Sequence, residues 1–478
     1  MLFNSISFAI FLPIVFSLYW LIPSEKRTFQ NILLLISSYV FYGWWDYRFL
    51  LLLVFSTCLD YYSGLKIDGA KDKRTKKMWL FISVFINVGF LGFFKYYNFF
   101  ADNFITAINS LGFKADIWTI KLILPVGISF YTFHGLSYVF DVYNKKTRPR
   151  KGFIDYALFV GFFPLLVAGP IERATHLLPQ IEQKRTFRYS TAVDGLKQML
   201  WGFFKKMAIA DTCAVVVNLI FNGSNHYSGS TLVVGIVLFA FQIYGDFSGY
   251  SDIAIGTARL FGFELLRNFA YPYFSRDIAE FWRRWHISLT SWFKDYLYIP
   301  LGGSKGNALV KIRNTFIVFL VSGFWHGANW TFICWGLLNA VYFLPLLLMG
   351  KNRDNIEIVA KGCIFPAFTD VIKIVSTFCL TCFAWIFFRS ATIGQAISYI
   401  KTIFSPSVFN KPEIVPVRAF TLIGILILIE WAGREQLYPI KITGAKWPGI
   451  LRWTFYVGIV FLILYFGRQQ VLFIYFKF

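Results

Sequence analysis

Apolar residues in this chain come in blocks, not at a steady alternating spacing. Seven blocks, at residues 8–21, 32–45, 49–59, 79–94, 122–142, 153–168 and 232–244, are each long enough with their flanks to make most of a membrane span of ~20 residues. Core helices of a large water-soluble protein would carry polar faces at helical spacing, and most of these blocks are apolar all round. The pattern predicts an all-α, polytopic transmembrane bundle of about eleven to thirteen membrane helices, with amphipathic or re-entrant segments between some of them. No basic residue precedes the first block, and no small-residue cleavage site follows it before Pro23-Ser24-Glu25-Lys26-Arg27. It reads as a retained first span rather than a removable signal.

Composition agrees. The chain has 478 residues, of which 57% are hydrophobic and 21% aromatic, and only 15% are charged; a soluble chain would carry about 25%. A net charge of +22 would suggest nucleic acid in a soluble protein. Here the basic residues sit in short loops, at Lys26-Arg27, 66–77 and 145–151, while the alternate connections 46–48 and 101–118 hold one each. They are topology signals, so no nucleic acid is expected as a partner. Five spans with the N-terminus outside reproduce the alternation. Near the end, 351–361 and 434–452 read as cytoplasmic, 391–416 as external, and the last span, 455–466, leaves a short tail outside. A multi-pass membrane protein with its termini outward is the expectation. No repeat or soluble domain is visible, so residues 1–478 are read as a single membrane domain.

The middle of the chain departs from this regularity. Residues 171–210 and 264–313 are too polar to span simply and too rich in Trp, Phe and Tyr to be ordinary loops. Over 274–297, Ile278, Phe281, Trp282, Trp285, Leu289, Trp292, Phe293 and Leu297 form one helical stripe, with Asp277, Glu280, Arg284, Ser288, Ser291 and Asp295 opposite. One interfacial or half-buried amphipathic helix is predicted there.

Candidate chemistry is sparse. Of five histidines, His326 stands out in Ser322-Gly323-Phe324-Trp325-His326-Gly327-Ala328-Asn329-Trp330, inside an uncharged stretch from Thr315 to Gly350. That stretch is too long for one span and has basic groups at both ends, which implies a hairpin turning near 327–330. His326 would lie ~20 Å along the helix from Arg313, deep in the membrane. Broken helix at that depth is tolerated only where protein or a water-filled cavity surrounds it, and an ionisable residue there is a functional candidate. A packing histidine bonded to a carbonyl is the alternative. His286, in Phe281-Trp282-Arg283-Arg284-Trp285-His286, reads by itself as an interfacial histidine. Arg283 and Arg284 are headgroup or capping charges by default; functionally they would draw an anionic donor to the mouth of a site.

Asp246 and Asp252 interrupt an apolar run, and two carboxylates within a span are costly unless they face a cavity or a partner. They read as anchors. No His or Cys accompanies them, and Cys379-Leu380-Thr381-Cys382 has the spacing of a metal or redox pair without companions, so no metal site is expected. Gly302-Gly303-Ser304-Lys305-Gly306 lacks full phosphate-loop spacing and reads as a turn. His134 and Asp141 share a predicted helix, where interhelical bonding is the simpler role, and Gly169-Pro170-Ile171-Glu172-Arg173 reads as a helix break with a local ion pair. Serine-hydrolase and two-carboxylate glycosidase patterns are not evident.

At these same residues the sequence resembles the membrane-bound O-acyltransferase family, in the bacterial branch that acetylates alginate. The resemblance rests on 245–256 (GDFSGYSDIAIG), 268–277 (NFAYPYFSRD), 281–302 (FWRRWHISLTSWFKDYLYIPLG) and 322–330 (SGFWHGANW), with 168–171, Arg173 and 473–476 beside them. It implies a helical bundle around a central tunnel, a catalytic histidine matching His326 and a second important histidine matching His286. It also implies a pocket shaped by Trp285, Trp325 and Asn329, and no bound cofactor. The acyl donor would be a cytoplasmic thioester, acetyl-coenzyme A or another. The acceptor would be an exported or cell-surface polysaccharide, reached directly or through a periplasmic acetyltransferase partner. A D-alanyl or lipid acyltransferase of the same fold is the near alternative. A non-catalytic donor transporter is the distant one, though no matched halves with broken helices are visible.

Overall fold

The computed structural model describes residues 1–113, 123–167, 169–442, 447–467 and 471. The described residues are helical and contain no strand. They gather into two compact units, residues 1–195 with 257–266, and residues 196–256 with 267–478. The start of the predicted block at 122, the motif at 473–476, Ala168 and the tail after 467 apart from residue 471 lie outside the described residues.

In the first unit α1 (Ile6–Leu21), α2 (Arg27–Gly43), α3 (Arg48–Gly69), α4 (Lys73–Leu91) and α5 (Tyr97–Ser110) follow one another. Ser5 caps α1 by accepting the Phe8 amide, and Asp72 caps α4 by accepting that of Thr75. Next come α6 (Ile128–Tyr143), α7 (Phe153–Gly161), α8 (Phe163–Leu166) and α9 (Ala174–Glu182), and α10 (Tyr189–Phe203) begins here. The block expected as one span over 153–168 is broken at Phe162, because Pro164 lacks an amide for helix continuity and starts a new helix instead. His134 is fully buried on α6 and accepts the Glu172 amide at 3.1 Å. The ion pair expected at 169–173 takes another partner: Glu172, fully buried, meets His176 Nδ1 at 2.8 Å and accepts the Leu266 amide at 2.6 Å.

The second unit holds α11 (Asp211–Asn222), most of α12 (Gly229–Leu260), α13 (Ile278–Arg284), α14 (Ile287–Phe293), α15 (Ala308–His326), α16 (Trp330–Leu348), α17 (Phe368–Arg389), α18 (Ile393–Ile403), α19 (Val417–Ala432) and α20 (Gly449–Phe466). The 32-residue α12 is its core: 83% of its apolar stretch is buried, against 11% for α20. α20 instead turns Ile450, Val457, Phe461 and Leu464 outward, a surface stable only against hydrocarbon.

The all-helical, polytopic membrane class follows from these elements. Seven described helices are individually long and apolar enough to cross a membrane, with one more if α1 and α2 count as a single broken span. That is fewer than the eleven to thirteen expected from the blocks, for a physical reason. α1 and α2 meet at a 110° bend, and α6 and α19 have 16 residues each, too few to cross unaided.

A candidate active site around two buried histidines

The hairpin predicted from the flanking charges is present in the second unit. α15 ends at His326, residues 327–329 turn, and α16 starts at Trp330. The two helices touch backbone to backbone. A Cβ on Gly323 would lie 2.3 Å from the Phe332 carbonyl oxygen, and one on Gly336 would lie 2.4 Å from that of Phe319. Small residues permit this approach, which in lipid replaces the missing hydrophobic drive between helices. Asn329 caps α16 by accepting the Thr331 amide at 3.0 Å, and its Nδ2 donates to the Ala391 carbonyl at 2.9 Å. Its visible work is to hold the turn.

His326 is buried at 3% exposure. Its ring lies 4.9 Å from Trp325, 5.1 Å from Trp335 and 5.3 Å from Phe388, all edge-on. Trp335 stacks on Trp385 at 5.6 Å, and Trp385 meets Trp285 at 5.2 Å. Trp285 is therefore joined to the His326 pocket through two intermediate indoles.

The predicted single amphipathic helix over 274–297 is two helices and a π-helical turn. The break falls at Trp285-His286, and His286 adopts a left-handed backbone with φ 43° and ψ 53°. A residue with a Cβ resists this region, and such strain persists only where surroundings over-determine it, often at functional sites. Here the restraint is the preceding loop. The Ala270 amide donates to the Arg284 carbonyl at 2.9 Å, and the Ile287 amide donates to the Asn268 carbonyl at 2.9 Å. The expected apolar stripe is buried from Ile278 to Phe293, and so are Glu280 and Ser288 on the face predicted to be polar.

This kink turns the His286 ring inward to 1% exposure, 4.6 Å from Phe247 and 6.1 Å from Trp325. Trp325 thus walls both imidazoles. His286 Nδ1 faces Asn268 Oδ1 at 3.3 Å, and Ser288 Oγ donates to the same oxygen at 2.6 Å. His286 Nε2 is buried without a hydrogen-bond partner among the described residues. Burial pulls the His286 pKa down to about 3, so the ring is neutral at physiological pH.

Arg283 and Arg284 are committed elsewhere. Arg283 donates to the carbonyls of Asn352 and Asn355 at 2.7 and 2.8 Å. Arg284 is bound to the buried Glu280 carboxylate at 2.7 Å and to the Ala270 carbonyl at 3.2 Å. They clamp the 350s loop and the kinked segment.

Asp246 and Asp252 find their partners on the α10–α11 side. Lys206 Nζ lies 2.8 Å from Asp246 and 2.6 Å from Asp211, while Lys205 Nζ lies 2.6 Å from Asp252 and 2.8 Å from Ser248 Oγ. The lysines sit in a π-helical stretch, Phe204–Ala210, that turns both toward α12. Sequence reasoning missed them, although a Lys-Lys pair between Phe204 and Met207 was the available signal. Asn268 was missed as well. Residues 302–306 form a turn with Gly302, Gly303 and Gly306 left-handed.

The family model for MBOAT, the membrane-bound O-acyltransferase family, matches residues 49–388. The chain is 39% identical over 446 residues to the "Probable alginate O-acetylase AlgI" of Pseudomonas aeruginosa, covering 92% of this chain and 82% of that protein. It is 36% identical over 430 residues to the peptidoglycan O-acetyltransferase of Helicobacter pylori, covering 84% and 79%. To the teichoic acid D-alanyltransferase of Bacillus subtilis it is 27% identical over 280 residues, covering 56% and 69%. With the family model matching well over half the chain, and relatives above 30% identity matching nearly all of it, the protein belongs to the membrane-bound O-acyltransferase family and is an acyltransferase.

Proposed function

We propose that this enzyme takes an acyl group, acetyl in the first instance, from a cytoplasmic thioester such as acetyl-coenzyme A and passes it outward for O-acetylation of an exported or cell-surface polysaccharide. The relatives named for alginate and for peptidoglycan support polysaccharide as the acceptor class. A partner acetyltransferase outside the membrane would receive the group where the polymer is not reached directly. The enzyme would sit in the bacterial cytoplasmic membrane with its termini outward, the two compact units working as one domain; the family match, which runs through both, supports the last point.

The single observation that carries the mechanism is the pair of buried imidazoles sharing the Trp325 wall. In the reaction an acceptor hydroxyl oxygen attacks the thioester carbonyl carbon and the C–S bond breaks. The hydroxyl proton passes to His326 and from there to the leaving thiolate, so charge and protons balance. General-base help of this kind is typically worth about 10²–10⁴-fold. His286 has a more specific part than a general stabiliser. With Nδ1–H donated to Asn268 Oδ1, its Nε2 carries a lone pair and accepts, so it orients a hydroxyl or shares the proton; holding an oxyanion would require a donor there. Trp285 and Trp325 shape the pocket and Asn329 fixes its turn. Both rings are closed in, at 3% exposure for His326 and 1% for His286.

The test is envelope-glycan mass spectrometry with wild type, His326→Ala and His286→Gln. Loss of O-acetyl groups with His326→Ala, in protein that still inserts and accumulates, is the expected result. Unchanged acetylation removes the reading. The D-alanyl alternative predicts loss of D-alanyl esters instead; the B. subtilis relative favours it more weakly, at lower identity and over about half the chain.

A further inference from the structure

A cavity of about 250 Å³ opens in the first unit beside the end of α1. A water occupies about 30 Å³ in the liquid, so the space holds a phosphate with part of its ester and several waters. Four cations line it, Lys184, Arg185, Arg188 and Arg259, against one carboxylate, Glu264. Arg259 is matched by Asp194 at 2.8 Å and Glu264 at 3.0 Å. Lys184 and Arg188 are exposed.

Arg185 is the informative one. It is 5% exposed, yet its guanidinium bonds only neutral oxygens: Asn31 Oδ1, the Ile181 and Gln180 carbonyls and, at 3.4 Å, Gln30 Oε1. Its Nε has no hydrogen-bond partner among the described residues. Asp155, the nearby carboxylate, is already bonded to Asn31 and paired with Arg27. The rings of Phe263 and Tyr19 lie 4.8 and 5.8 Å away, and the Tyr19 hydroxyl adds one more neutral hydrogen-bond partner, so none of these contacts supplies a negative charge. A buried charge is costly unless it is paired, so this one calls for an anion. The start of α10 also lines the cavity, at Thr191 and Ala192.

Position narrows the ligand. The outward apolar stripe of α1 (Ile6, Ile10, Ile14, Leu18, Leu21) stops just where the cavity begins, and Trp20 lines it. Lys26 and Arg27 follow directly. This is the boundary where hydrocarbon gives way to headgroups, and basic pockets at that level take anionic headgroups. We propose that this cavity is a second, non-catalytic binding site for a phosphate group, carried by an anionic phospholipid headgroup or by a soluble phosphate ester.

The experiment is thermal unfolding of the purified full-length protein in neutral detergent, titrated separately with phosphatidylglycerol, phosphatidylcholine, inorganic phosphate and ADP. The variants are Lys184→Glu/Arg188→Glu and, as a control for general surface charge, Lys71→Glu/Lys73→Glu. Stabilisation by phosphatidylglycerol beyond phosphatidylcholine, with an apparent affinity roughly tenfold weaker in the first variant and unchanged in the control, supports the site with a lipid source. The same pattern with phosphate or ADP supports it with a soluble source. No stabilisation by any probe, equal responses in all three proteins, or equal loss in both variants overturns it. Acyl transfer is not the readout, so failure here leaves the role of His326 untouched.

Discussion

Asn268 Oδ1 stands 3.3 Å from His286 Nδ1 and accepts Ser288 Oγ at 2.6 Å, while the Asn268 carbonyl receives the Ile287 amide. One buried residue therefore serves both features of His286: its backbone carbonyl holds the kink, and its side-chain oxygen, an acceptor, makes Nδ1 the donor. The bond between the two carries no charge, which suits a ring that burial keeps neutral.

Asn268→Asp puts a carboxylate against that ring. An adjacent opposite charge raises a histidine pKa by roughly 1–3 units, partly offsetting the desolvation that lowers it. The folded-state pKa rises from about 3 toward the physiological range, so the variant should lose acyl transfer as pH falls, at a pH where the wild type is still active. A pH–rate profile checks this; an unchanged acid limb would mean that the histidine is not coupled to turnover. Asn268→Ala should lower the rate at every pH, by roughly 10–100-fold on the analogy of the partners that orient metal-bound histidines.

Lys206→Met leaves Asp211 and Asp246 buried without their cation. Stripping one partner from a buried ion network costs about 3–5 kcal/mol, so a large fall in thermal stability is expected. Neutralising both acids in the same protein, with Asp211→Asn and Asp246→Asn, should restore much of it. A triple variant as unstable as the single one would show that the lysine's packing matters and its charge does not.

Gly323→Ala drives a methyl into the Phe332 carbonyl oxygen, at 2.3 Å from where the Cβ must sit. The hairpin has to open, at a cost of about 1–3 kcal/mol, and His326 at the end of α15 shifts with it. Gly424→Ala on α19 has nothing within 4 Å and should stabilise by up to about 1 kcal/mol through helix propensity. Melting temperatures moving in opposite directions, with activity lost only in the first, is the expected outcome.

His176 meets the buried Glu172 carboxylate at 2.8 Å, and that hydrogen bond raises its pKa above the ordinary value. A raised folded-state pKa contributes stability that is complete below about pH 6.5 and fades as pH rises through the shifted value. The imidazole is about a third exposed, at 37%, so screening limits the effect to roughly 1 kcal/mol or less. Melting the wild type and His176→Gln from about pH 5 to 8 should give curves that converge at the alkaline end.

Much of this protein was legible in its sequence, because a bilayer imposes a simple rule on residue order. Apolar blocks must be helical in hydrocarbon, which fixed the all-α class, and basic flanks around an uncharged double-length stretch put the hairpin turn near 327–330, where it falls at 327–329. What residue order could not supply was any relationship that depends on distant segments meeting. The stripe over 278–293 reads as one helix because local periodicity does not register that Asn268 and Ala270 fold back and force His286 left-handed. The two aspartates in α12 read as anchors from the sequence, but their partners, Lys205 and Lys206 some forty residues earlier, are identified only by the packed structure. Arg283 and Arg284, plausible donor-binding charges as a string, are tied to Glu280 and to loop carbonyls about seventy residues away. Solvent quality is a property of each short window of sequence and can be read there, whereas the pairing of buried polar groups is decided only when the chain has packed.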